Sequence, residues 1–113
     1  MAPITDEFMR DMLAKSKGYT AVLLKATPKR LEDPGADAVV WEHGRRNFSL
    51  RADGVLSIVC PIVDGSEWSG IGIFNATADE VTRIMDDDPG VKAGLFTYEV
   101  HSVRGIPGDS LPE

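Results

Sequence analysis

His43, His101, Cys60 and the run Asp86-Asp87-Asp88 are the side chains whose type and spacing draw attention first in this 113-residue chain. An imidazole can take or give a proton near neutral pH. His43 has Arg46 and Asn47 three and four residues on, hence on the same side of any helix that carries them. Taken by itself, a histidine on a helix flank also fits a structural or simply exposed position. Asp88 precedes Pro89, which suits a helix terminator that caps the turn after it. The three aspartates diverge in direction, as adjacent residues must, and read as a solvated helix end. With two histidines and one cysteine, a metal site would draw mostly on carboxylates, so neither a metal nor a cofactor is expected. Cys60, inside VLSIVCPIV, reads as a buried inert thiol. No Gly-x-x-x-x-Gly-Lys loop, His-Glu-x-x-His pair or Gly-x-Ser-x-Gly elbow occurs.

The elements that would position these residues follow from period and punctuation. Asp6 to Lys17 carries Phe8, Met9, Met12 and Leu13 at helical spacing before Gly18, which predicts a short amphipathic helix. Strands are expected near 19–27, 55–63, 68–76 and 95–103, the first apolar on both faces and therefore central. Pro61 pushes the second to an edge or a bulge. Gly70 and Gly72 leave one face of the third almost bare. Lys29 to Asp37 reads as a loop into a helix over 37–52, whose apolar stripe is Val40, Trp41, Gly44, Phe48 and Ala52 and leaves Arg45, Arg46 and Arg51 outside it. Thr77 and Glu80 form a capping box that opens a helix near 78–87.

After the N-terminal helix the order is β-α-β-β-α-β, which predicts an α+β, ferredoxin-like fold. Four antiparallel strands in the order 4-1-3-2 would carry both helices on one face. The domain would span 19–104, with the extra helix in 1–18 and a loose tail in 105–113. An uncovered apolar sheet face is most simply hidden by a second copy, so a homodimer is expected.

Composition bounds the function. An apolar content of 42% and a charged content of 27% fit one compact domain. The net charge of -6 disfavours binding to a phosphate backbone. No apolar run approaches a membrane span, and Met1 to Lys17 is charged throughout, so the chain reads as soluble and cytoplasmic.

From His43 to Gly54 is eleven residues, Pro61 follows within the next strand, and Asp88-Pro89-Gly90-Val91-Lys92-Ala93-Gly94-Leu95 comes later. In this order and spacing the stretch from Tyr19 to Val103 resembles the YCII (YciI-like) family. It departs from the family pattern at Cys60, where glycine is usual, and at Arg45-Arg46-Asn47, which is more basic than usual. The resemblance implies a dimeric α/β barrel and a pocket in which His43 and Asp88 lie together as a catalytic pair. Arg46, Asn47 and Pro61 would then sit on the substrate side, with Arg45 or Arg46 supplying charge for an anionic molecule. Two functions fit: a cofactor-independent lyase or isomerase acting on a small organic molecule, or a non-catalytic dimeric module that binds a ligand or regulates. The wider superfamily includes both muconolactone isomerase and a dehydrochlorinase.

Overall fold

A computed structural model describes residues 1–113 as an α+β, ferredoxin-like domain preceded by a helix. The elements are α1 (Asp6–Lys15), β1 (Lys17–Ala26), α2 (Pro28–Glu32), α3 (Ala36–Ala52), β2 (Leu56–Pro61), β3 (Trp68–Phe74), α4 (Ala78–Asp86), α5 (Pro89–Lys92) and β4 (Phe96–Gly105). The four strands are antiparallel in the order β2-β3-β1-β4, the expected order read from the other edge. β1 is central, as its two apolar faces require. β2 is an edge strand with a register shift between Leu56 and Ile58, and it ends at Pro61. An edge tolerates a residue that cannot donate to the ladder.

One face of the sheet carries the core. Val22 and Leu24 of β1, Leu56 of β2, Phe74 of β3 and Phe96 of β4 pack with Ala36, Val81, Met85 and Leu95. Thr20 shares that buried face, and its hydroxyl donates to the Ala76 carbonyl at 2.7 Å. On the opposite face lie Ala21 and Leu23 of β1, Ile58 of β2 and Ile71 and Ile73 of β3, with no helix over them.

Two expectations change. Lys29 to Asp37 is not all loop, and the chain past Asp88 does not run directly toward the last strand. α2 and α5 are short helices that begin at Pro28 and Pro89. A proline ends the structure before it but is well placed at a first helical position, where its missing N–H costs nothing.

The buried side of α3 is also rotated from the expected stripe. Ala36, Val39, Val40, His43, Gly44, Arg46, Asn47 and Leu50 are the residues turned inward, so Val40 and Gly44 of the expected stripe keep their place. Trp41 and Phe48 are 70% and 68% exposed. Polar residues occupy inward positions of this helix, so a stripe drawn through apolar residues alone lies to one side of the buried face. No helix is long and apolar enough to cross a membrane.

Candidate active site

α3 and α5 meet where His43 and Asp88, 45 positions apart, come together: His43 Nδ1 lies 2.8 Å from Asp88 Oδ1. Asp88 is the N-cap of α5, and its Oδ2 accepts from the backbone N–H of Gly90 at 2.9 Å and of Val91 at 3.1 Å. The capping role anticipated from Pro89 and the contact with His43 thus belong to the two oxygens of one carboxylate. Its side chain is 1% exposed. Burial pushes the carboxyl pKa up. The hydrogen bond from His43, the charge His43 carries when protonated and the Val91 and Gly90 amides outweigh it, and the group is held below its ordinary value.

An ionised carboxylate only accepts, so the proton between the two residues belongs to Nδ1 of His43. That leaves Nε2 as the ring nitrogen with a lone pair. Asn47 Nδ2, one turn along α3, donates to it at 3.3 Å. The Phe96 ring lies 5.1 Å from the imidazole, centroid to centroid, and blocks its other flank. Gly90 makes that arrangement possible. A Cβ there would fall 2.6 Å from the Phe96 ring and 3.1 Å from Asp88 Oδ2.

His43 and Asn47 line a cavity of about 1030 Å³, open on one side. Its α3 wall is the helical series Val40, His43, Gly44, Asn47, Phe48 and Arg51, and its sheet wall includes Val22, Leu24, Gly70, Gly72 and Phe74. The bare face of β3 therefore turns toward this side of the sheet, partly filled by Leu56 and Phe74, which a Cβ on Gly72 would meet at 3.3 and 3.1 Å. Pro61 and Cys60 reach the cavity from β2, where Cys60 is half-buried.

The basic residues are sorted differently from the expectation. Arg45 pairs with Glu42 at 3.1 Å on the outer side of α3. Arg46 is not on the cavity wall. Its Nη1 donates to the Ile84 carbonyl at 2.6 Å and stands 3.9 Å from Asp88 Oδ1, while Nη2 is 3.9 Å from Asp87. The arginines on the cavity are Arg30 and Arg51. Arg30 is held by Asp37 at 3.1 Å. Arg51, with no carboxylate partner, lies two turns from His43, and the series 43, 47, 51 was the signal that identifies it. No cluster of His, Cys, Asp and Glu side chains is arranged to hold a metal ion. The aspartate run disperses: Asp86 accepts from the Tyr98 hydroxyl, Asp87 pairs with Lys92 and Asp88 turns inward.

No protein-family model matches the chain, and no curated protein matches it. Among solved structures it is similar to the 5-chloro-2-hydroxyhydroquinone dehydrochlorinase of Burkholderia phenoliruptrix AC1100, solved in complex with 2,5-dihydroxybenzoquinone. The two share 23% identity over 74% of this chain and 90% of that one, with a TM-score of 0.58. At that identity the likeness is one of fold, and it places the chain among ferredoxin-like α+β proteins.

Proposed function

We propose that this is a YCII-like, cofactor-independent lyase or isomerase in which His43 Nε2 moves a proton on a small anionic organic molecule, Asp88 orienting the ring. The observation that carries the reading is the 2.8 Å contact from His43 Nδ1 to a buried carboxylate beside a cavity. Asp88 fixes the tautomer and stabilises the imidazolium that forms when Nε2 takes a proton. In an elimination, the pair left by the C–H bond would form a new double bond as the leaving group departs with its own pair. In an isomerisation, the imidazolium would return the proton at a second carbon. Asn47, already donating to Nε2, is placed to donate to a developing oxyanion once a substrate displaces it. Arg51 offers the cavity's unpaired positive charge. A dehydrochlorination, named for the similar structure, is one such elimination.

The same reading takes the molecule as a homodimer. Ala21, Leu23, Ile58, Ile71 and Ile73 form an uncovered apolar patch, and a second copy of the same sheet matches it.

Turnover of a panel of hydroxylated, halogenated and carboxylated ring compounds and small oxo-acids, followed by proton NMR in deuterated buffer, tests the chemistry. The expected result is product, or deuterium exchanged onto a carbon beside a carbonyl, by the wild type and not by His43→Ala. A compound that binds at the cavity with neither exchange nor turnover would establish the ligand-binding module instead.

A further inference from the structure

Arg46 reaches the His43–Asp88 pair from outside the cavity wall, and its contacts fix where its charge lies. Nη1 donates to the Ile84 carbonyl at 2.6 Å. That carbonyl is free to accept. At the end of α4 the Asp87 N–H is given to Arg83 and Met85 and the Asp88 N–H to Met85, which leaves Ile84 without a backbone donor. A cation is also favoured at this end of a helix, where the dipole is negative. The same Nη1 stands 3.9 Å from Asp88 Oδ1, the oxygen that His43 Nδ1 meets at 2.8 Å, while Nη2 is 3.9 Å from Asp87. Guanidinium and imidazole thus share one carboxylate oxygen.

Two positive charges drawn to one oxygen oppose each other. With Arg46 in place the carboxylate already has a cation beside it while the ring is neutral, so a second positive charge on the ring is resisted. A carboxylate with no such neighbour would favour the imidazolium, which has no lone pair left on Nε2. The other charged groups around the pair do not take this place. Lys92 of α5 pairs with Asp87 at 2.6 Å, and Arg30 of α2 is held by Asp37 at 3.1 Å. β4 contributes the uncharged Phe96 ring, β2 brings the Cys60 thiol to the cavity, and Arg51 borders the cavity two turns along α3.

We infer that Arg46 is a positioning residue of the pair: it ties the joint between α4 and α5 to α3, and its charge behind Asp88 keeps the His43 ring neutral, with Nε2 open as a base. The inference rests on the proton-transfer reading and deepens it by setting the order of steps. The first proton moves from substrate carbon to Nε2, the pair of the broken C–H bond staying with the substrate, and the imidazolium so formed is the acid of the step that follows. The substrate is then a compound that enters with an acidic C–H, such as one beside a carbonyl, and not one that must first be protonated on a leaving group. An arginine suits the task because its fork reaches a carbonyl and two carboxylates from one planar group.

Nitrogen-15 NMR of the histidine rings, titrated through neutral pH in the wild type, Arg46→Gln, Arg46→Met and Arg46→Lys, tests this, with deuterium exchange into candidate substrates followed on the same samples. The wild-type ring is expected to be neutral at neutral pH with its proton on Nδ1. In Arg46→Gln and Arg46→Met the His43 midpoint should rise by about one pH unit, as loss of one partly exposed charge at this range implies, and the acid limb of the rate profile should move with it. Arg46→Lys keeps the charge and loses the fork, so it should melt lower than the wild type yet bring the midpoint most of the way back. A midpoint unmoved in both neutral variants, or raised equally in Arg46→Lys, overturns the inference and leaves Arg46 a strut between helices. A midpoint that moves as expected in a protein that neither exchanges nor turns over any compound supports the hold of Arg46 on the ring and removes the proton-transfer reading alone.

Discussion

At the corner between α3 and α5 the chain buries what water would solvate, and along α1 it exposes what water expels. The first region encloses a carboxylate whose two oxygens meet the His43 ring and the Gly90 and Val91 amides. The second leaves Phe8 and Leu13 in solvent on a helix with satisfied ends. A buried charge is tolerated only when its partners are in place, and an apolar side chain left in water adds little to the fold. Substitutions in the two regions should therefore differ in reach: activity and melting change at the corner, and neither changes along α1.

The largest effect is expected at the corner without loss of fold. In Asp88→Asn the remaining oxygen can keep accepting from Gly90 and Val91, which turns the amide NH₂ toward His43 Nδ1. That nitrogen must then accept, and the ring proton moves to Nε2, the nitrogen proposed to act as base. Turnover should fall by about 10²–10⁴-fold, the usual contribution of a positioned acid/base, while melting shifts by only a few degrees. His43→Ala should lose at least as much. Equal rates for Asp88→Asn and the wild type would refute the tautomer argument.

Gly90→Ala tests the same corner by volume. The added methyl meets the Phe96 ring at 2.6 Å, and that ring is wedged against His43. Overpacking of this kind costs about 1–3 kcal/mol, and calorimetry should show the melting temperature several degrees lower. Phe8→Ala on α1 should leave the melting temperature where it was.

Much of the fold could be read from the chain, because strands declare themselves by alternation and α4 by its capping box, although α3 begins at Ala36 with no side-chain cap. What escaped was local and physical. Pro28 and Pro89 were legible as stops, while their second role as first residues of α2 and α5 depends on the residue before them leaving the helical region. α3 misled because His43, Arg46 and Asn47 turn inward beside Val40 and Gly44, while Trp41 stands outside and Phe48 lies mostly exposed on the cavity wall. Arg51 lies outside the apolar stripe, as expected, and is exposed, yet it borders the cavity. Nothing in local periodicity connects His43 with Asp88 across 45 residues. That pairing was an expectation drawn from the family resemblance.

Arg51→Gln refines the account of the cavity. Loss of its unpaired charge should raise KM for an anionic substrate about tenfold and leave kcat within twofold. Arg45→Gln, which breaks only an exposed pair with Glu42, should change neither. An unchanged KM in Arg51→Gln would remove the charge from substrate recognition.

Acid should separate the corner from α1 as well. The Asp88 carboxyl is held below its ordinary value, so the stability it contributes is present above about pH 4 and is lost as pH falls through its folded value. Urea midpoints measured between pH 5 and 3 should fall more steeply in the wild type than in Asp88→Asn. A parallel fall in both would show that the carboxylate's folded and unfolded affinities for the proton are alike.

The smallest effect concerns a second carboxylate pairing, made two residues earlier and at the surface. Asp86 accepts from the Tyr98 hydroxyl, and partial burial together with that carboxylate pushes the phenol pKa up to about 12. A raised folded value means that the contribution is whole below the unfolded value of about 10 and fades as pH rises through about 12. Ultraviolet titration should find Tyr98 ionising well above the ordinary tyrosine range, and Asp86→Asn should bring it down by removing the negative neighbour. Tyr98→Phe should cost less than about 1 kcal/mol, because a solvent-accessible hydrogen bond exchanges readily for one to water. A cost as large as that of Gly90→Ala would mean that pairing alone, and not burial, sets the energetic weight of these carboxylates, and the contrast between the enclosed corner and the rest of the molecule would lose its basis.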